Sequence, residues 1–122
     1  MLPPALTPEE LLARADLAGH AKVVAVERAK DATSPHVGLL RFEKVIKGVP
    51  VYRRPLLAAL RLDRTIEVKM RRVKRDRQGT PLPGEWWDGY RAGDRVMTHL
   101  TWHPELNAYA TLWWNAVWQT PN

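Results

Sequence analysis

The sequence predicts a mainly β domain, a five-stranded Greek-key barrel behind one short N-terminal helix. Three observations carry this prediction. Five runs of alternating or β-branched apolar residues are spaced along the chain, with turn-forming residues between them. Ten prolines in 122 residues leave little room for long helices. The clearest helix signal lies near the N-terminus and is short. The length suits a single domain, residues 1–122, able to bury a core without cross-links.

Thr7-Pro8-Glu9-Glu10 opens the helix. Thr7 is a capping residue, Pro8 suits the first helical position, and the two glutamates complement the helix dipole. Glu10 stands where a capping box requires it. Leu11, Leu12, Ala15 and Leu17 supply an apolar face, and Gly19 is expected to end the helix. Residues 20–29 form the first strand, on the strength of Val23, Val24 and Val26. A turn cluster at 31–35 leads to a second strand at 37–47, with Leu40, Phe42, Lys44 and Ile46 on one face.

Residues 52–64 read as a loop with one helical turn, opened by Pro55 and spaced by Leu56, Leu57, Leu60 and Arg61. The third strand spans 65–75, where Ile66, Val68 and Met70 alternate with Glu67, Lys69 and Arg71. A polar loop at 76–84 follows. A tight turn at 91–94 precedes the fourth strand, 95–102. A hairpin loop at 103–107 joins it to the fifth, 108–119.

Lys44-Val45-Ile46-Lys47-Gly48 ends the second strand, and Tyr90-Arg91-Ala92-Gly93-Asp94-Arg95-Val96 opens the fourth. With Ala15-Asp16 after the helix, this pattern resembles bacterial exported OB-fold domains related in shape to the netrin and tissue-inhibitor-of-metalloproteinase modules. Those proteins show an alanine–aspartate pair, a valine–leucine–lysine–glycine strand end and a glycine–acid–arginine turn at the matching places. The resemblance covers residues 11–109 and implies an OB-like barrel. A helix before the third strand departs from that template, which often carries one between the third and fourth. The inhibitors act through a cysteine-anchored N-terminus. This chain has no cysteine, so that activity does not carry over.

The absence of cysteine also removes disulfides, thiolate zinc sites and cysteine nucleophiles. No apolar run approaches the roughly 20 residues that span a bilayer, so no membrane span is expected. Leu2-Pro3-Pro4-Ala5-Leu6-Thr7-Pro8 resembles the first residues after a removed leader. A periplasmic or secreted location is therefore expected, or the cytoplasm if the native chain starts at Met1. The net charge of +6 favours acidic partners: nucleic acid, anionic lipid or an acidic protein. A basic surface with no dedicated partner explains it equally simply.

The first candidate for function is the basic run Lys69, Arg71, Arg72, Lys74, Arg75 and Arg77, followed by Trp86, Trp87 and Tyr90. Charge that tracks phosphates beside rings that stack on bases is how single-strand binders work. Charges of this kind also protect a strand end from edge pairing. The second candidate is the tryptophan set. Trp102, Trp113, Trp114 and Trp118 lie on the last two strands, where one of Trp113 and Trp114 must face outward. Histidines 99 and 103 have ligand spacing for a helix, but on a strand they stand roughly 13 Å apart, so no metal site is expected. Glu85, Asp88, Asp94 and His99 offer acid–base groups, yet turns are the ordinary home of such carboxylates. There is no phosphate loop, nucleophile elbow or dinucleotide fingerprint.

The sequence thus points to a non-enzymatic domain without a cofactor, binding a protein or cell-envelope component. Its expected surface is the loop 84–90 with an outward aromatic of the last strand, Trp113. A single-stranded nucleic-acid binder using residues 69–77 ranks second, and a small hydrolase on Glu85, Asp88 and His99 third.

Overall fold

A computed structural model describes residues 4–27, 36–70, 90–112 and 116–120. Helix α1 (Pro8–Arg14) begins with the expected capping box. Thr7 Oγ1 accepts from the Glu10 amide, and Glu10 Oε1 accepts from the Thr7 amide, both at 3.1 Å. The helix stops earlier than Gly19, with Ala15 already extended as its C-cap. The ammonium of Lys47 donates to the carbonyls of Leu12 (2.8 Å) and Ala13 (2.9 Å), satisfying the last turn from outside. Leu17, expected on the helix, instead starts the first strand.

The strands are β1 (Leu17–Glu27), β2 (His36–Lys47), β3 (Ile66–Met70), β4 (Arg95–His103), β5 (Ala108–Thr111) and β6 (Val117–Gln119). Helix α2 (Pro55–Ala59) lies between β2 and β3, as the proline and leucine spacing predict. A 3-10 turn (Pro104–Leu106) joins β4 to β5, with Asn107 left-handed at φ 48°. These strands form one six-stranded mixed sheet. Neighbours run β1–β2–β3–β5–β4, and β4 pairs again with β1, so five strands make a ring of pairings. All pairs are antiparallel except β3 with β5.

The expected fifth strand is two strands. Leu100 faces Thr111, whereas Thr98 faces Val117. Two steps along β4 therefore correspond to six along its partner, four residues more than an unbroken ladder. The backbone of His99 holds the neck of this insertion. Its carbonyl accepts from the Leu112 amide and its amide donates to the Ala116 carbonyl, both at 3.1 Å.

Inside the ring lie Leu17, Ala21, Val23, Leu40, Ile66, Val68, Val96, Leu100 and Tyr109, with Phe42 and Tyr90 packed at the margin. Ile66 and Val68 of β3 and Leu40 and Phe42 of β2 pack toward the core, as expected. Two of the resemblance motifs meet at one corner, and the third forms the turn at the other end of β4. Asp16 donates its amide to the Leu100 carbonyl (2.9 Å) and accepts the Trp102 amide on its carboxylate (2.8 Å). Gly48 (φ 87°) lies against the Asp16 carbonyl so closely that a Cβ would collide with it. Gly93 (φ 97°) donates to the Val23 carbonyl, and the Asp94 carboxylate accepts the Arg91 amide.

Thr98 shares the inward parity of Val96 and Leu100 and is fully buried, and among the described residues its hydroxyl has no hydrogen-bond partner. An orphaned buried hydroxyl costs on the order of 1–3 kcal/mol, whereas an isosteric apolar group does not. Thr98→Val is therefore expected to stabilise the fold by about 1 kcal/mol, seen as a raised urea midpoint at unchanged m-value. A lowered midpoint would show that the hydroxyl is satisfied in solution.

Candidate functional site

The most exposed large apolar side chains among the described residues gather in the connection from β2 to β3. Val49 is 83%, Leu56 82%, Leu62 73% and Leu60 67% exposed. Local chemistry explains how they come to be displayed. Pro55 occupies the first turn of α2, and a five-residue helix has only one small face to bury, which it gives to Ala58. Leu56 and Leu60, four apart, share another face. Arg61 adopts φ 61° and turns the chain back, so that the amides of Leu62 and Asp63 donate to the Leu57 carbonyl. The Arg53 amide donates to the Thr65 carbonyl (2.9 Å), closing the excursion at its base.

Four arginines flank the leucines along the chain: Arg53, Arg54, Arg61 and Arg64, all exposed. The single acid of the segment is already engaged. The hydroxyl and amide of Thr65 donate to the Asp63 carboxylate, and these bonds, with Arg53 and Arg54 nearby, hold its pKa below the ordinary carboxylate value. The tip is thus apolar with a cationic rim. Beneath it runs an open groove of about 550 Å³ lined by Pro50, Val51, Tyr52, Pro55, Ala58, Ala59 and Arg64. A smaller cleft of about 60 Å³ lies behind, between Val51, Tyr52, Arg53, Glu67, Trp102, Asn107 and Ala108.

Tyr109 anchors the near end of this connection. It is buried, its ring meets Trp102 edge-on at 4.9 Å, and its hydroxyl accepts the Val51 amide at 2.9 Å. Burial raises the phenol pKa, so the group stays protonated at neutral pH.

Of the residues expected to form the contact surface and the basic run, Tyr90 and Lys69 are described. Tyr90 is half-buried against the core, and its hydroxyl donates to the Val117 carbonyl at 3.1 Å. Lys69 lies on the face of β3 opposite Val68, in register with Val37, and is half-buried. Arg71, Arg72, Lys74, Arg75, Arg77, Glu85, Trp86, Trp87, Asp88, Trp113 and Trp114 lie outside the described residues. The expected surface thus lies almost wholly outside the described residues, and the apolar surface displayed among them is one that the sequence reading did not single out. The signal was present in Arg53-Arg54-Pro55-Leu56-Leu57 and Leu60-Arg61-Leu62-Asp63-Arg64: leucines in a loop, bracketed by arginines.

His99 is only 2% exposed. Its Nδ1 donates to the Ala116 carbonyl (3.0 Å), and its ring lies 5.2 Å from that of Trp118. His103 directs Nε2 to Thr101 Oγ1 and Nδ1 to Glu105 Oε1, each at 3.0 Å. Among the described residues no group of three or more His, Asp or Glu could hold a metal ion. No helix among them is long and apolar enough to cross a membrane. Compared with known families, curated proteins and solved structures, the chain matches none.

Two outcomes follow from this geometry. Burial lowers the His99 pKa, against a weaker opposing pull from the Ala116 carbonyl. The unfolded imidazole takes a proton below about pH 6.5 while the folded one resists, so stability is full above that pH and falls as the solution is acidified toward the folded pKa. Melting temperatures should drop between about pH 7.5 and about pH 5, and the drop should be smaller in His99→Phe. Equal slopes would contradict this. Tyr109→Phe strips the Val51 amide of its acceptor and should cost about 1 kcal/mol by urea denaturation.

Proposed function

We propose that this chain is a non-enzymatic binding domain on an OB-type five-stranded barrel, with its contact surface at the tip of the β2–β3 connection. The observation that carries the reading is the set of exposed leucines 56, 60 and 62 inside a rim of four arginines. Isolated exposed leucines are ordinary, but a cluster with a polar rim marks an interaction surface. The barrel assignment is supported by the strand order of the ring and by its one parallel pairing, β3 with β5. The reading retains the protein or cell-envelope partner and the exported location expected from sequence.

The single-stranded nucleic-acid reading draws support from Lys69. It stands on the outer face of β3 at the head of the basic run, and OB barrels take oligonucleotides across strands 2 and 3.

A photo-crosslinking amino acid at position 60, with position 41 as an exposed control and position 69 as the rival surface, separates these readings. Irradiation in extract of the native host, with adducts identified by mass spectrometry, should give adducts at 60 and not at 41. Oligonucleotide adducts confined to position 69 would transfer the function to the basic strand. Adducts at none of the three positions would remove the binding reading.

A further inference from the structure

We infer that the tip of the β2–β3 connection docks on an anionic lipid surface, with Leu56, Leu60 and Leu62 entering the headgroup region and the arginines meeting lipid phosphates. This rests on the contact-surface reading above and names its partner. The charge of the patch comes first. Residues 53–64 carry four arginines and one aspartate, and that aspartate is bonded to Thr65. The partner must therefore supply negative charge. A second copy of the same face would bring arginine against arginine, which disfavours a symmetric dimer through this patch.

Shape decides between an acidic protein and a bilayer. The leucines belong to a connection closed at its base and have two-thirds or more of their surface in water. A cluster of apolar groups this exposed suits a fluid interface, which closes around each of them without a preformed pocket. The arginines complete the arrangement, since a long side chain lays its stem along apolar surface while its guanidinium reaches phosphate. Anionic headgroups add attraction for every such cation held near the membrane plane. The loop is also firmly mounted, through the Arg53–Thr65 and Val51–Tyr109 hydrogen bonds, so little order has to be gained on docking.

Flotation of the full chain with lipid vesicles tests the inference. Vesicles of phosphatidylcholine alone are compared with vesicles containing about a third phosphatidylglycerol. Binding is expected only to the anionic vesicles, and it should fall severalfold in roughly 0.5 M salt. Leu56→Ser with Leu60→Ser should weaken it about tenfold or more, at unchanged circular dichroism. Arg54→Gln with Arg64→Gln, which spares the leucines, should weaken it by a similar factor. Absence of binding by the folded chain, or equal binding to both vesicle types, overturns the lipid assignment. So does binding that ignores both double variants. Protein adducts at position 60 would in that case keep the contact surface and make its partner an acidic protein. Absence of those adducts as well would end both readings.

Discussion

Closure of the ring at β1 is the constraint on which the rest of the structure depends. Residues 17–22 pair with β4 on one side, and residues 18–27 pair with β2 on the other. The strand must therefore bend to meet partners separated by more than fifty residues of chain. Register shifts against β2 at Ala18/Gly19, His20/Ala21 and Val23/Ala25 provide the bend. Gly19 permits it, because a Cβ there would run into the Lys44 carbonyl. Small residues at 18 and 21 are fully buried beside it. Non-local pairing of this kind is established only after long loops have closed, so the corner that secures β1 matters out of proportion to its size.

That corner gives a physical account of the short motifs. Asp16 bonds to Leu100 and Trp102, Lys47 caps the end of α1, and Gly48 admits the Asp16 carbonyl. Three motif residues from two distant segments thus join the helix, the end of β2 and β4. Their roles are architectural. They bear on how the ring is locked.

Legibility in the sequence followed the range of the interactions involved. The capping box of α1 and the proline start of α2 are set by neighbours three or four residues apart, and both were readable. Alternation placed Ile66 and Val68 inward because a strand has one inward face. The end of α1 was not readable, since the group that satisfies it belongs to Lys47, far along the chain. The break between β5 and β6 was hidden for a similar reason. The run from Ala108 to Gln119 is apolar enough for one strand, and the four extra residues are absorbed by the backbone of His99 on a neighbouring strand. The proposed contact surface was half visible. Its leucines have helical spacing, which ordinarily signals burial, and only three-dimensional placement shows that α2 buries Ala58 instead.

This last substitution of roles is informative about why the leucines are there. A surface turn of helix folds as well with polar residues at positions the core never touches, and polar residues would spare the protein an aggregation hazard. Leu56, Leu60 and Leu62 contribute little to the interior, because most of their surface is in water. The structure pins the loop that carries them at both ends, through Val51 to the buried Tyr109 and through Arg53 to Thr65. A chain that invests ordered hydrogen bonds in holding apolar side chains out in solvent, and rings them with charge of one sign, has no folding reason to do so. The proposed partner, which takes up the leucines and answers the arginines, gives the arrangement a physical reason.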